Sequence, residues 1–178
     1  MKKGVCWGLI ILSLGLILYC CKINIETNVG HHISMNELFG KEKLDAVEVT
    51  NGQDFKLATG DCPCRLTIKT KDGGNFYIYM EDQEEENDFS FYVKGGETVT
   101  KNVPVGKYKI YYCSGDEWYG LEKKFGWQTF AQKSDKVLDF ACIERNGFVQ
   151  YGGHTIELYP VTNGNMPTKG IKTNDMPE

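Results

Sequence analysis

An all-β fold, an antiparallel β-sandwich or jelly-roll-like domain behind an N-terminal hydrophobic helix, is the class this sequence predicts. Three observations predict it. Apolar and polar residues alternate in short runs from Leu44 onward, the pattern of strands that rest one face on a core. Turn-forming residues, glycine above all, separate those runs. No stretch beyond the N-terminal segment sustains a helical apolar period, apart from a turn or two within residues 121–134.

The chain of 178 residues suits one domain with room for an anchor or a tail. A hydrophobic content of 41% and an aromatic content of 12% belong to a chain with a packed core rather than a disordered one. The net charge of −4 argues against nucleic acid, which is bound by clustered Lys and Arg.

Met1-Lys2-Lys3 is basic, and residues 4–19 carry no charge. A run of that length stands at the border between a signal h-region and a spanning helix. Lys2 and Lys3 before it and a single Lys22 after it favour an N-in orientation, which puts the main domain outside the cytoplasm on a cell membrane. Residues 1–21 are therefore read as a signal anchor or a lipoprotein signal peptide. Leu18-Tyr19-Cys20-Cys21 resembles a lipobox with Cys21 as the lipidated residue, although Tyr19 is bulky and Cys20 stands where a smaller residue is usual. Retention as an anchor and cleavage with release are the competing fates. Residues 22–45 read as a polar linker. Within it Ser34-Met35-Asn36-Glu37 has the spacing of a capping box, so a short helix through Leu38 fits.

The domain itself is expected over residues 46–162. Val47 and Val49 alternate with Glu48 and Thr50, and Asn51-Gly52 signals a turn. Asp54 to Leu57 reads as a second short strand. Arg65 to Lys69 alternates cleanly, and Asp72-Gly73-Gly74 turns the chain. Phe76, Ile78 and Met80 share one face of the next strand, with Tyr77 and Tyr79 on the other. The acidic run Glu81 to Asp88 follows, read as a solvated hairpin tip whose charge discourages edge pairing. It lacks the spaced carboxylates of a calcium loop. Phe89, Phe91 and Val93 alternate up to Gly95-Gly96, and Thr98 to Thr100 leads to Val103-Pro104. Tyr108, Ile110 and Tyr112 face one way; Lys109, Tyr111 and Cys113 face the other. Val137 to Ile143 and Thr155 to Val161 supply two more strands. Residues 163–178, rich in Gly, Asn, Pro and Lys, read as a flexible tail that wraps the surface or frays.

Gly106-x-Tyr108, Ser114-Gly115-Asp116-x-Trp118-Tyr119-Gly120, Phe125-Gly126, Asp139-Phe140 and Asn163-Gly164-Asn165 form a glycine-aromatic pattern. With these residues the stretch from Pro63 to Ile171 resembles a group of uncharacterised bacterial extracytoplasmic domains. Members often sit behind a membrane segment or a small zinc ribbon. The resemblance implies an exported all-β domain and implies no activity. This chain departs from it in carrying Cys64, Cys113 and Cys142 and in showing no zinc ribbon.

Four cysteines lie in the expected domain, Cys62, Cys64, Cys113 and Cys142. An even number in an exported domain points to disulfides. A Cys62–Cys64 bridge would close a very small ring, which leaves 62–113 with 64–142, or 62–142 with 64–113. A four-thiolate zinc site is one rival, but Cys62-Pro63-Cys64 is too tight for paired ligands, so no metal and no cofactor are expected; free buried thiols are the other. Trp118, Tyr119, Phe125 and Trp127 stand beside glycines in a long connection. They are either a binding face carried on a rigid scaffold or a packed corner. Tyr77, Tyr79, Tyr92 and Tyr111 read as cross-strand pairs or as a flat aromatic surface for sugar or protein. His154 is the one histidine inside the domain; it is read as an ordinary strand or turn residue, the other possibility being a catalytic pair with Cys113 or Cys142. No nucleophile elbow, zinc-protease motif or phosphate loop is present. The expected function is a membrane-anchored binding module without catalysis, its partner a protein or an envelope polymer. A structural accessory subunit of an envelope or secretion complex is the alternative, and an envelope hydrolase a third.

Overall fold

The computed structural model describes residues 44–84, 86–158 and 166–178. The expected anchor, Cys21 and the linker up to residue 43 lie outside the described residues, as do residues 159–165. Among the described residues no helix is long and apolar enough to cross a membrane.

The protein is all-β, as the alternation predicts. Six strands form one sheet: β1 (Asp54–Lys56), β2 (Cys64–Thr70), β3 (Asn75–Asp82), β4 (Phe89–Val93), β5 (Thr98–Val103), β6 (Gly106–Gly115), β7 (Phe130–Phe140), β8 (Cys142–Arg145), β9 (Phe148–Tyr151), β10 (Gly153–Leu158) and β11 (Thr168–Ile171) are divided so that β1-β4-β3-β6-β7-β11 make this layer. A second sheet has the order β10-β2-β5, and β8-β9 stand apart as a hairpin. Every pairing in the large sheet is antiparallel, but β10 runs parallel to β2, with His154 opposite Leu66 and Ile156 opposite Ile68. An entirely antiparallel arrangement is corrected at that one ladder. A parallel pair needs a long crossover rather than a hairpin, and here residues 71–152 lie between the two strands.

The first core lies between the two sheets. Leu66, Ile68, Val99, Val103 and Ile156 come from the small sheet, and Ile78, Met80, Phe91, Tyr108, Ile110 and Phe140 from the large one. These are the positions of matching parity in each strand, so the period of two is legible in the burial. In β2, for instance, Cys64, Leu66 and Ile68 are buried while Arg65 and Lys69 are exposed.

The other face of the large sheet is not open. It carries a second core of Val49, Tyr77, Tyr79, Tyr92, Cys113, Trp118, Phe125, Ala131 and Met176. Both faces of β4 are therefore buried along its whole length. A flat aromatic surface made of tyrosines is corrected here: Tyr77, Tyr79 and Tyr92 are buried, and Tyr111 is half-buried. They are nonetheless cross-strand pairs, Tyr77 opposite Tyr92 and Tyr79 opposite Tyr111. Coil residues 44–53 help to cover this face. Val47 donates its N–H to the Trp118 carbonyl at 2.8 Å and leaves its side chain exposed, while Val49 turns inward. No strand forms over residues 47–50 because this segment pairs with a loop instead of a ladder.

Two further departures have local causes. β7 begins at Phe130, where a helical turn was expected, because its backbone completes the ladder with β6 from Ser114↔Phe130 onward. The single strand expected at 137–143 ends at Phe140, and a hairpin then turns at Asn146-Gly147, both with positive φ. Of the two courses open to the tail, wrapping the surface or fraying, residues 166–178 follow the first. β11 pairs with β7 from Thr168↔Ser134 to Ile171↔Ala131, and Met176 is buried in the second core.

The acidic run is less solvated than its composition suggests. β3 continues to Asp82, and the Asp88 carboxylate accepts hydrogen bonds from the Tyr79 hydroxyl (2.7 Å), Lys56 Nζ (3.1 Å) and the Asp82 N–H (2.8 Å). Partial burial works against that charge, but these donors more than offset it and hold the Asp88 pKa below the ordinary carboxylate value.

Candidate functional site

The connection from β6 to β7 places the four aromatic candidates, and it separates them. Trp118 is 3% exposed and Phe125 is 1% exposed. Trp118 stacks on Tyr77 with ring centroids 5.5 Å apart and meets Phe125 edge-on at 5.1 Å. Phe55 and Tyr92 close the same cluster at 5.4 and 5.9 Å from Trp118. The loop is held by two backbone bonds, Tyr119 N–H to Lys124 O and Lys124 N–H to Gly120 O, both 2.7 Å. Gly115 is required for this packing: a Cβ there would sit 2.3 Å from the Cβ of Phe125. Two of the four candidates are thus a packed corner, and a surface ligand cannot reach them.

A buried cation fixes the corner. Lys124 is 2% exposed. Its Nζ donates to the Leu121 carbonyl, pairs with Glu178 Oε1 at 3.2 Å and lies 4.9 Å from the centre of the Tyr77 ring. The Tyr77 hydroxyl donates to the Pro177 carbonyl at 3.5 Å, and burial raises its pKa well above the usual phenol value. The C-terminal residues are therefore held on the back of the sheet by this ion pair together with the Tyr77 hydrogen bond and the burial of Met176.

Tyr119 and Trp127 lie elsewhere. Tyr119 is half-buried, and its hydroxyl donates to Glu117 at 2.7 Å. Trp127 sits in a 3-10 turn, Gly126–Gln128, and is 73% exposed. With Phe130, 58% exposed at the start of β7, it lines an open cleft of about 1590 Å³ between β10 and the β6-β7-β11 side of the large sheet. Phe76, Ile156, Leu158 and Met166 give it apolar wall. Tyr112, Gln132 and Thr168, one from each of β6, β7 and β11, form its polar centre. Gln132 Oε1 accepts from the Tyr112 hydroxyl at 2.5 Å and from the Thr168 hydroxyl at 2.6 Å, so the amide is held from two sides. Phe130 and Gln132 were missed as site residues because they read as the end of a loop. Their alternation with Ala131, which is buried on the opposite face, was the available signal.

His154 lines the same cleft, but its Nε2 is hydrogen-bonded to the Asp139 carbonyl at 2.8 Å and its ring packs edge-on against Phe140 at 4.7 Å. Among the described residues no cysteine lines the cleft. Among the described residues no group of three or more His, Cys, Asp or Glu is arranged to hold a metal ion.

The disulfides are corrected. Cys62, Cys64, Cys113 and Cys142 are all free thiols. A Cys64–Cys113 bridge is blocked by the large sheet, because Cys113 faces the second core and Cys64 the first. Burial pushes the Cys113 thiol up to about 12. Cys64 is also raised, by burial first and then by the nearby Cys142 and Cys62. In a timed alkylation of the folded protein read residue by residue by mass spectrometry, exposed Cys142 should label first and Cys62 next. Cys64 and Cys113 should label only on unfolding, because the thiolate is the reacting species. Labelling of Cys113 as fast as Cys142 would contradict this placement.

No family model matches the chain, and neither a curated protein nor a solved structure does. Function is left to the chemistry of the chain's own surface.

Proposed function

We propose that this protein is a membrane-anchored extracytoplasmic binding module without catalysis, whose partner is a protein or an envelope polymer. The charge-free N-terminal run supports the anchor and the side of the membrane. A β-sandwich of jelly-roll kind is part of the same reading, with the second aromatic core fastening loops and tail to its outer face. The observation that carries the binding role is the open cleft with Trp127 and Phe130 at its edge. Two large aromatic residues, each more than half exposed, beside a concave surface are the usual mark of a covered interface.

A second reading, an accessory subunit of an envelope assembly, is favoured by the β8-β9 hairpin. All eight of its residues are exposed, including Ile143, Phe148 and Val149. A two-stranded ribbon is only marginally stable alone, and a neighbour in an assembly would steady it.

Photo-crosslinking in intact cells tests both. A photoreactive side chain replacing Phe130 should give a discrete envelope adduct. The same group replacing Leu57, also on the surface, should give none. An adduct from position 148 alone would transfer the function to the hairpin, and silence at both positions would end the binding reading.

A further inference from the structure

The cleft of this binding module has a chemistry that selects among partners, and we propose that it takes an uncharged polysaccharide chain. The inference rests on the binding reading above and specifies its ligand. Three features carry it.

The first is charge. Among the residues lining the cleft, Asp116 and Glu157 are acidic and Lys136 is basic, and Glu157 pairs with Lys69 at 3.9 Å. The lining therefore has neither the cationic excess that a polyanion needs nor a dense anionic field for a basic peptide. The second is the pairing of ring faces with amide and hydroxyl groups. A pyranose presents an apolar C–H face and an equatorial rim of hydroxyls. Trp127 and Phe130 offer exposed ring faces to the former. Gln132, Thr168 and Tyr112 offer donors and acceptors to the latter. Because the two hydroxyls hold Gln132 Oε1 at 2.5 and 2.6 Å, its amide nitrogen is oriented before any ligand arrives. The third is size. At about 1590 Å³ and open to solvent, the cleft exceeds the roughly 300–1,000 Å³ of a small-molecule pocket and suits several units of an extended chain.

The test uses the full-length chain in detergent, with Trp7→Phe so that Trp118 and Trp127 are the two remaining tryptophans. Trp118 is buried, so a ligand-induced change in tryptophan emission reports on Trp127. The probes are soluble chitin oligosaccharides, soluble β-glucan and an equimolar library of extended neutral peptides. Affinity electrophoresis in gels containing each polysaccharide gives an independent readout. The expected result is a blue shift and a retarded band with at least one polysaccharide. Phe130→Ala and Gln132→Leu should each weaken binding by about tenfold or more while the thermal transition stays put. Binding of the peptides but of no polysaccharide would overturn the glycan assignment and leave the binding module intact. Binding of neither, together with no crosslink from position 130, would remove both. Polysaccharide binding unchanged in Phe130→Ala and Gln132→Leu would place the sugar elsewhere and also overturn the inference.

Discussion

Replacing Trp118 by alanine unfolds the domain or brings it close to unfolding. The indole is 3% exposed and is surrounded by the rings of Phe55, Tyr77, Tyr92 and Phe125 at centroid distances of 5.1 to 5.9 Å. Removing a buried aromatic of this size costs about 3–5 kcal/mol, through lost transfer energy and the cavity left behind. A whole domain is stable by only about 5–15 kcal/mol. Phe55, Tyr77 and Tyr92, three of the four rings around it, are fixed in strands of the large sheet, so relaxation should not refill the space cheaply. Urea denaturation of the Trp118→Ala chain should show a large drop in midpoint, and near-ultraviolet circular dichroism should lose the signal of the packed rings. Trp127→Ala is the control. Its ring is 73% exposed, and surface changes of this kind stay within about 0.5 kcal/mol. If Trp118→Ala melts like the parent and only Trp127→Ala is destabilised, the division of this loop into a packed half and an open half is wrong.

Deleting residues 166–178 has an effect as large. It removes β11 from the edge of the large sheet, takes Met176 out of the second core and strips Lys124 of its ion-pair partner. Loss of a buried methionine is worth about 2–5 kcal/mol by itself. The open edge of β7 and the uncovered Tyr77 add to it. Truncation should therefore yield an aggregating chain or one melting far below the parent. Glu178→Gln isolates the ion pair: Glu178 is more than half exposed, so solvent takes over part of its role and the change should be about 1 kcal/mol or less. A truncated chain with the parent's thermal transition would show that the tail only rests on the sheet. Loss of assembly in a destabilised truncation would report unfolding and not a lost docking segment.

The strands of the two sheets were legible wherever alternation had a single cause. In β2, β3, β4 and β6 the parity of apolar residues matches the first core residue by residue, because one face of a strand must be dry and its period is two. Phe76-Tyr77-Ile78-Tyr79-Met80 shows where that reasoning stops. The tyrosines were the face left over once Phe76, Ile78 and Met80 had been assigned inward. An amphipathic ring with a hydroxyl satisfies either an exposed or a buried position, so composition could not separate them. β11 and the β8-β9 hairpin were missed for the opposite reason. Thr-Lys-Gly-Ile and Cys-Ile-Glu-Arg have weak alternation, and their strand character comes from partners far along the chain or across a turn. The cleft was half-legible: Trp127 was named from its glycine neighbours, while Phe130 and Gln132 depended on where β7 begins.

What the sequence by itself determined was the all-β class, the inward parity of the main strands and the presence of a glycine-aromatic corner after β6. These follow from interactions between residues near one another in the chain, which the amino-acid order displays. Only the tertiary structure decided that both faces of the large sheet are covered. It also decided that Trp118 is core while Trp127 is surface, and that Cys113 lies across a sheet from Cys64. Those outcomes depend on long-range contacts, chiefly residues 44–53, the Lys124 corner and the Met176 tail closing over the tyrosines. Burial is a property of what arrives from elsewhere in the chain, and no local pattern encodes that arrival.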